Sequence, residues 1–295
     1  MGDEKELVGT QRDLGKTRIG RNTDKKAMSE LRHEALTGVL RGLIFKVRNE
    51  LSGGWSEEVY HQALLRLLQE NNIPVVSKPR RSLWHRGVEV HLFEPDLIVW
   101  DKIILELKAL PYQSGFASEQ YAQIIHYLKF WQKDLGLLIN FAPAKVKIQR
   151  VVWDEAEFSL FESYEDILPL LSEQDKAILR QIRQHIVTIA RQYGFGYPES
   201  VYRKLVAIEI AHNHLPCVTD VTVVPNWRGY DLPQQLSQHL QIAEQYLINM
   251  RTLHGHPTSY DFVTTKTYLK QMGFKFGLVV NFSPHKLQIF GVKAT

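Results

Sequence analysis

Residues 95–109 read Pro-Asp-Leu-Ile-Val-Trp-Asp-Lys-Ile-Ile-Leu-Glu-Leu-Lys-Ala, two short apolar runs (97–100 and 103–107) divided by Asp101-Lys102. Runs this short, rich in branched residues and split by a polar pair, predict two strands joined by a hairpin turn. Strands apolar at consecutive positions are covered on both faces. Covering layers are found on either side. Residues 28–51 place Leu31, Leu36, Val39, Leu40, Leu43, Ile44 and Val47 at helical spacing, and Gly53-Gly54 ends that run. Ser56 then stands where an N-cap would open a second helix over 57–71, and residues 74–77 begin a strand. A third helix is expected over 118–132, and strands over 137–141 and 146–152 close the unit around Pro143. The expected fold class is α/β: a mixed sheet between helical layers, an α/β/α sandwich.

That unit occurs twice. Residues 136–151, GLLINFAPAKVKIQRV, return as 277–292, GLVVNFSPHKLQIFGV, with 8 of 16 positions identical. Gly54-Trp-Ser-Glu57-Glu-Val-Tyr60 is matched by Gly196-Tyr-Pro-Glu199-Ser-Val-Tyr202, and Trp84-His-Arg-Gly87 by Trp227-Arg-Gly229. The blocks keep their order at an offset of 141 to 143 residues, which chance likeness of apolar strands does not produce. The expected organisation is a mobile charged tail over 1–27, one unit over 28–153, an acidic linker over 154–172 and a second unit over 173–295.

Composition fits this reading. Of 295 residues, 44% are apolar and 23% charged, as in ordinary globular chains. Mean hydropathy is −0.24, and no apolar run approaches the ~20 residues that span a bilayer. The N-terminal stretch lacks the apolar core of a signal peptide. Cys217 is the sole cysteine, which excludes an internal disulfide or a thiolate metal cage and fits a reduced, cytoplasmic compartment. The net charge of +4 combines unlike parts: +2 over 1–27, +3 over 28–153, −6 over the linker and +5 over 173–295. No Walker A loop or Rossmann fingerprint is present, so neither ATP nor NAD is implied.

The chemistry concentrates at Asp96 and at Glu106-Leu107-Lys108. Charge inside an apolar strand is costly unless it is paired or metal-bound. Glu106 and Lys108, two apart, share one face of their strand, and a hairpin at Asp101-Lys102 sets Asp96 across from them. Two carboxylates beside a lysine suit a hard divalent ion, Mg2+ or Mn2+. In phosphodiester hydrolysis such an ion polarises a phosphoryl oxygen and acidifies the attacking water, which the lysine can position. A solvated strand face with Asp96 at its rim is the plain alternative.

The pattern Pro95-Asp96…Glu106-Leu107-Lys108 resembles the PD-(D/E)XK nuclease signature. More closely, residues 28–152 resemble the bacterial GxxExxY family of predicted PD-(D/E)XK proteins. The matching blocks are Leu36-Thr37, Gly54…Glu57…Tyr60, Asp96-Leu-Ile-Val99, Leu105-Glu-Leu-Lys-Ala109, Ala122-Gln123…Tyr127-Leu128-Lys129 and Gly136-Leu-Leu-Ile-Asn-Phe141. The resemblance implies a restriction-endonuclease-like core with Asp96 and Glu106 as metal ligands and Lys108 as the catalytic lysine. It implies Glu57 as a further acidic ligand or a holder of metal-bound water, and Gln123 as a residue that orients the lysine or touches phosphate. Tyr60 and Tyr127 read as core packing.

Aligned on the strand pattern, the second copy carries His239 at the place of Asp96, Asn249 at Glu106, Arg251 at Lys108 and Thr264 at Gln123. Only Glu199 persists. His212/His214 and His254/His256 read as surface loops, with no cysteine and few acids to make a transition-metal site. The basic run Lys78, Arg80, Arg81 and Arg86 around Trp84 suits a nucleic-acid backbone with one stacked base, and equally an exposed turn with ordinary solvated charges. Taken together, the chain reads as a Mg2+-dependent (or Mn2+-dependent) nuclease acting on nucleic acid, DNA ahead of RNA. In this reading its first copy is active, the second is a pseudo-nuclease half of an intramolecular dimer, and no membrane is involved. The alternative is a non-catalytic nucleic-acid-binding or protein-interaction module that retains the motif as a relic.

Overall fold

A computed structural model describes residues 32–111 and 115–294. The expected tail over 1–27, and residues 28–31 of the first expected helix, lie outside the described residues. The chain divides into two compact units. One comprises residues 32–83 and 92–154; the other comprises 155–294 together with 84–91.

The first unit opens with α1 (Glu34–Leu51) and α2 (Glu57–Glu70). Ser56 stands at the N-cap of α2 in extended conformation, but its hydroxyl makes no capping bond. Strands β1 (Val75–Ser77), β2 (Arg81–His85), β3 (Val88–Phe93), β4 (Leu97–Val99) and β5 (Ile103–Lys108) follow, then α3 (Ser118–Trp131), β6 (Leu135–Asn140) and β7 (Lys147–Val152). The sheet order is β1-β4-β5-β6-β7, with only the β5–β6 pair parallel. Trp100 and Asp101 both take positive φ in the β4–β5 turn, as such a tight reversal requires.

Alternation along β5 separates core from chemistry. Ile103, Leu105 and Leu107 pack with α1 and α2, against Leu40, Ile44, Leu64 and Leu68. Ile104 faces the other way, toward Ile124 and Leu128 of α3. With period two, Glu106 and Lys108 fall on the α3 side. The sheet thus lies between two helical layers.

The second unit repeats the plan. The acidic stretch contributes β8 (Leu160–Ser163) and a 3-10 turn (Leu168–Leu170), followed by α4 (Glu173–Tyr193) and α5 (Glu199–His212). Short strands come next: β9 (Cys217–Val218), β10 (Val221–Val223), β11 (Asn226–Trp227), β12 (Tyr230–Asp231), β13 (Gln235–Ser237) and β14 (Leu240–Ile242). Then β15 (Tyr246–Arg251), α6 (Ser259–Met272), β16 (Phe276–Phe282) and β17 (Leu287–Lys293) complete it. The order is β8-β17-β16-β15-β14-β9, so the linker closes this sheet as an edge strand parallel to β17. One of its acids is engaged there: Glu162 accepts both Nε and Nη2 of Arg183 at 2.7 Å. No helix among the described residues is long and apolar enough to cross a membrane.

Residues shared by the two copies do structural work. Tyr60 stacks on Phe141 at 4.6 Å and donates to Ser52 O; Tyr202 stacks on Phe282 at 4.1 Å and donates to Gly194 O. Asn140 Oδ1 accepts from Leu110 N at 2.9 Å, and Asn281 Oδ1 from Leu253 N at 2.7 Å, pinning the segment after the central strand. Gly136 and Gly277 lie where the next strand passes closely. A Cβ on Gly277 would strike the Leu247 carbonyl oxygen, whereas one on Gly136 meets chiefly the movable Ile124 side chain. Gly277→Ala is therefore expected to cost about 1–3 kcal/mol in urea denaturation, and more than Gly136→Ala. Equal midpoints for the two variants would refute this.

Candidate active site

The β4–β5 register pairs Leu97 with Leu105, which sets Asp96 opposite Glu106. Asp96 Oδ2 accepts the Leu107 backbone N–H at 2.7 Å, so one carboxylate oxygen is fixed by the neighbouring strand. Glu106 is only 3% exposed. Lys108 Nζ donates to Glu106 Oε1 at 2.6 Å, and Glu106 Oε2 is buried with no hydrogen-bond partner. Glu57 reaches the cluster from the first turn of α2, close enough to be influenced by Lys108 and Asp96. The structure thus brings together Glu57, Asp96, Glu106 and Lys108.

Gln123 stands on α3, where its Nε2 donates to Tyr127 Oη at 3.1 Å. It makes no hydrogen bond to Lys108 among the described residues. Tyr127, expected as core, is partly buried, and its hydroxyl feels the charge of Glu106; burial first, then that charge, pushes it up to about 12. His61 was not singled out in the sequence. It is 1% exposed, bonded through Nε2 to Ser77 Oγ at 2.8 Å, with Nδ1 4.0 Å from Asp96 Oδ1. Its signal was available: it follows Glu57 by four residues and so shares that face of α2. Burial lowers its pKa, which keeps the imidazole neutral.

Crowded carboxylates shape the electrostatics. Burial, then repulsion from Asp96, pushes Glu106 up to about 8, with Lys108 opposing. Burial also raises Glu57, against the pull of Lys108. For Lys108, burial acts downward but the charge and hydrogen bond of Glu106 outweigh it, and the net shift is up. A divalent cation would answer this imbalance: the donors are all oxygen, and one buried oxygen lacks a partner. Among the described residues no three His, Cys, Asp or Glu side chains gather into a complete ligand group. Asp96 and Glu106 would supply two carboxylates and leave the other positions to water and substrate, which suits Mg2+.

The sign of the pH effect follows. A carboxyl raised from 4.5 to about 8 binds more protons folded than unfolded, so stability falls as pH rises between those values. The metal-free protein should lose up to a few kcal/mol across that window relative to Glu106→Gln, which lacks the titrating group. Mn2+ competes with the proton, so its thermal stabilisation should be larger at pH 8 than at pH 6 and absent in Glu106→Gln. Equal stabilisation of both proteins would exclude Glu106 as a ligand.

In the second unit the register pairs Leu240 with Ile248, which places His239, Asn249 and Arg251 at the positions of Asp96, Glu106 and Lys108. Of the acids of the first copy only Glu199 keeps its place here, and Asp261 of α6, which has no acidic counterpart there, joins it. Arg251 spans the two acids, with Nη1 3.2 Å from Glu199 Oε2 and Nε 2.8 Å from Asp261 Oδ1. Asn249 donates to Thr265 Oγ1 at 3.1 Å. A guanidinium neutralises both remaining carboxylates. Asp261 escaped notice because the matching position in the first copy, Gln120, is neutral.

The cations of the basic run have internal partners. Lys78 Nζ lies 2.6 Å from Glu58 Oε2 and Arg80 Nε 2.8 Å from Glu94 Oε2. Arg81 lies over the Phe130 and Trp131 rings and donates to Phe130 O at 2.8 Å. Arg86 forks onto Glu209 at 3.0 and 3.1 Å. Trp84 is 57% exposed.

The family description "PD-(D/E)XK nuclease superfamily" matches residues 34–151 and again residues 176–290. The chain belongs to the PD-(D/E)XK nuclease superfamily, and carries the family unit in two tandem segments. Comparison with curated proteins gave no match. Among solved structures, the one titled "Crystal structure of SSO0001" is similar at 18% identity over 32% of this chain and 50% of that one, with a TM-score of 0.28. The match therefore spans half the length of that chain.

Proposed function

We propose that the chain is a metal-dependent nuclease whose first unit hydrolyses phosphodiester bonds and whose second unit holds nucleic acid without cutting it. Superfamily membership makes nucleic acid the substrate class; in this reading it is DNA ahead of RNA. The observation that carries the reading is the convergence of Asp96, Glu106 and Lys108 around a buried, unpartnered carboxylate oxygen. The Gly54…Glu57…Tyr60 pattern favours the GxxExxY branch, with Tyr60 in an architectural role.

Asp96 and Glu106 would hold Mg2+ or Mn2+, with Glu57 at the rim to fix a water. Bound there, the ion would supply Lewis acidity toward a phosphoryl oxygen and favour deprotonation of the attacking water. Lys108 is held by Glu106 so that its ammonium faces the carboxylates, where it can orient that water and offset charge growing on the phosphate. The Leu107 N–H fixes Asp96, which spares it reorganisation during reaction. Gln123 and Tyr127 present an amide and a hydroxyl from α3 on the same side of the sheet as Glu106.

One active and one silenced unit cut one strand per binding event. Supercoiled plasmid with Mg2+ should yield nicked circles before any linear product. Immediate linearisation would overturn the single-site reading.

A further inference from the structure

A cavity of about 460 Å³ lies in the second unit, along one face of α5. Ser200, Arg203, Lys204, Ala207 and Ala211 are spaced three or four apart and so share that face. Val90 and His91 form one wall; Cys217 and Thr219 of the β9 segment form another. The volume falls within the range of ordinary small-molecule sites. No carboxylate lines it, although Arg203 also feels the nearby Glu199. Lys204 has no ion pair among the described residues.

The first copy shows why the cavity exists. At the 142-residue offset that matches Glu57 with Glu199, the face of α2 carries Glu58, His61, Gln62, Leu65 and Gln69 in place of those five residues. Leu65 and Gln69 take up room that Ala207 and Ala211 leave open. Glu58 is bridged by Lys78 at 2.6 Å, and His61 is buried on Ser77. In the second copy Ser200 and Lys204 replace an acid and an amide, so the face has gained both space and positive charge. A concave, partly apolar site focuses the field of the cations that line it.

We propose that this cavity is a nucleotide-phosphate site. Arg203, Lys204 and the Ser200 hydroxyl receive the phosphate, and Val90, Ala207 and Ile208 cover the flat apolar part. The phosphate belongs either to a free nucleotide or to the end of a nucleic-acid strand. The site owes nothing to hydrolysis by the first unit, so it stands or falls independently of the nuclease reading.

Cys217 is the only cysteine and lines the cavity, so it reports occupancy directly. Burial lifts its thiol to about 11, so labelling by a maleimide dye is followed at pH 9, in chelator, on the full chain. Adenosine 5′-monophosphate or a 5′-phosphorylated oligothymidylate should slow labelling at least several-fold. Protection by both points to a free nucleotide, and protection by the oligomer alone to a strand end. Lys204→Ser should weaken protection roughly tenfold. Ala207→Leu, which restores the bulk found in the first copy, should abolish it. Three results would overturn the proposal: no probe slows labelling, inorganic phosphate protects as well as the nucleotides, or both variants are protected like the unaltered chain.

Discussion

Glu106→Gln and Lys108→Met should each lower Mg2+-dependent cleavage by roughly 10³-fold or more, about 4 kcal/mol of lost transition-state stabilisation. The two changes act differently on the same place. Gln keeps the shape of Glu106 but removes the charge that would hold a metal and that anchors Lys108 at 2.6 Å. Met keeps the length of Lys108 but removes the ammonium. Because the residues act as a unit, the double variant should be little worse than either single one. Glu57→Gln, farther from the Lys108–Glu106 bond, should cost roughly tenfold. Binding of a labelled oligonucleotide, followed by fluorescence anisotropy, should survive all of these changes. Cleavage persisting in Lys108→Met, at the unaltered rate, would remove the lysine from the mechanism.

The second large effect concerns stability. Glu209 of α5 is 3% exposed and accepts from His85 Nε2 at 2.9 Å and from the Arg86 fork. His85 Nδ1 lies 2.9 Å from Tyr193 Oη, which can donate to it, so the imidazole is neutral with its proton on Nε2; burial, which lowers its pKa, agrees. Removing one partner of a buried charged cluster strands the others. Glu209→Ala should cost about 3 kcal/mol, the low end of the usual range, because Arg86 reaches solvent. Arg86 also lowers the pKa of Glu209, so this contribution is present above the unfolded carboxyl value and fades as pH falls through the folded one. Urea titrations at pH 7 and pH 4 test both parts. The deficit of Glu209→Ala should be smaller at pH 4, and an equal deficit would mean that the charge is irrelevant.

Much of the first unit was legible in the sequence. Short, branched, continuously apolar runs located β4 and β5, and the turn, which takes in Trp100 as well as the expected Asp101-Lys102 pair, sets Asp96 opposite Glu106. The repeat made the second unit visible, and the strand register then decided which residues stand at the places of Asp96, Glu106 and Lys108. Three things escaped. The basic run over 78–86 carries no strand signal of its own; most of it belongs to the β2–β3 hairpin, and the partners of its charges, Glu58, Glu94, Phe130 O and Glu209, lie too far along the chain to be read from local sequence. Asp261 could not be found by aligning the copies, since no acid stands at its counterpart. His61 was hidden because a lone histidine on an amphipathic helix carries no pattern, and only the position of Asp96 gives it meaning.

The hairpin tip over 84–91, grouped with the second unit although its strands begin and end in the first, governs how this chain can be dissected. A cut at residue 153, the boundary that the repeat suggests, would leave the C-terminal fragment with Glu209 facing neither His85 nor Arg86. The N-terminal fragment would carry a loose ribbon with a bare tryptophan. The boundary that the repeat suggests therefore does not coincide with the division into compact units, and half-chains cut there are poor surrogates for either unit. Silencing one unit by point substitution within the intact chain is the sound way to assign a task to each.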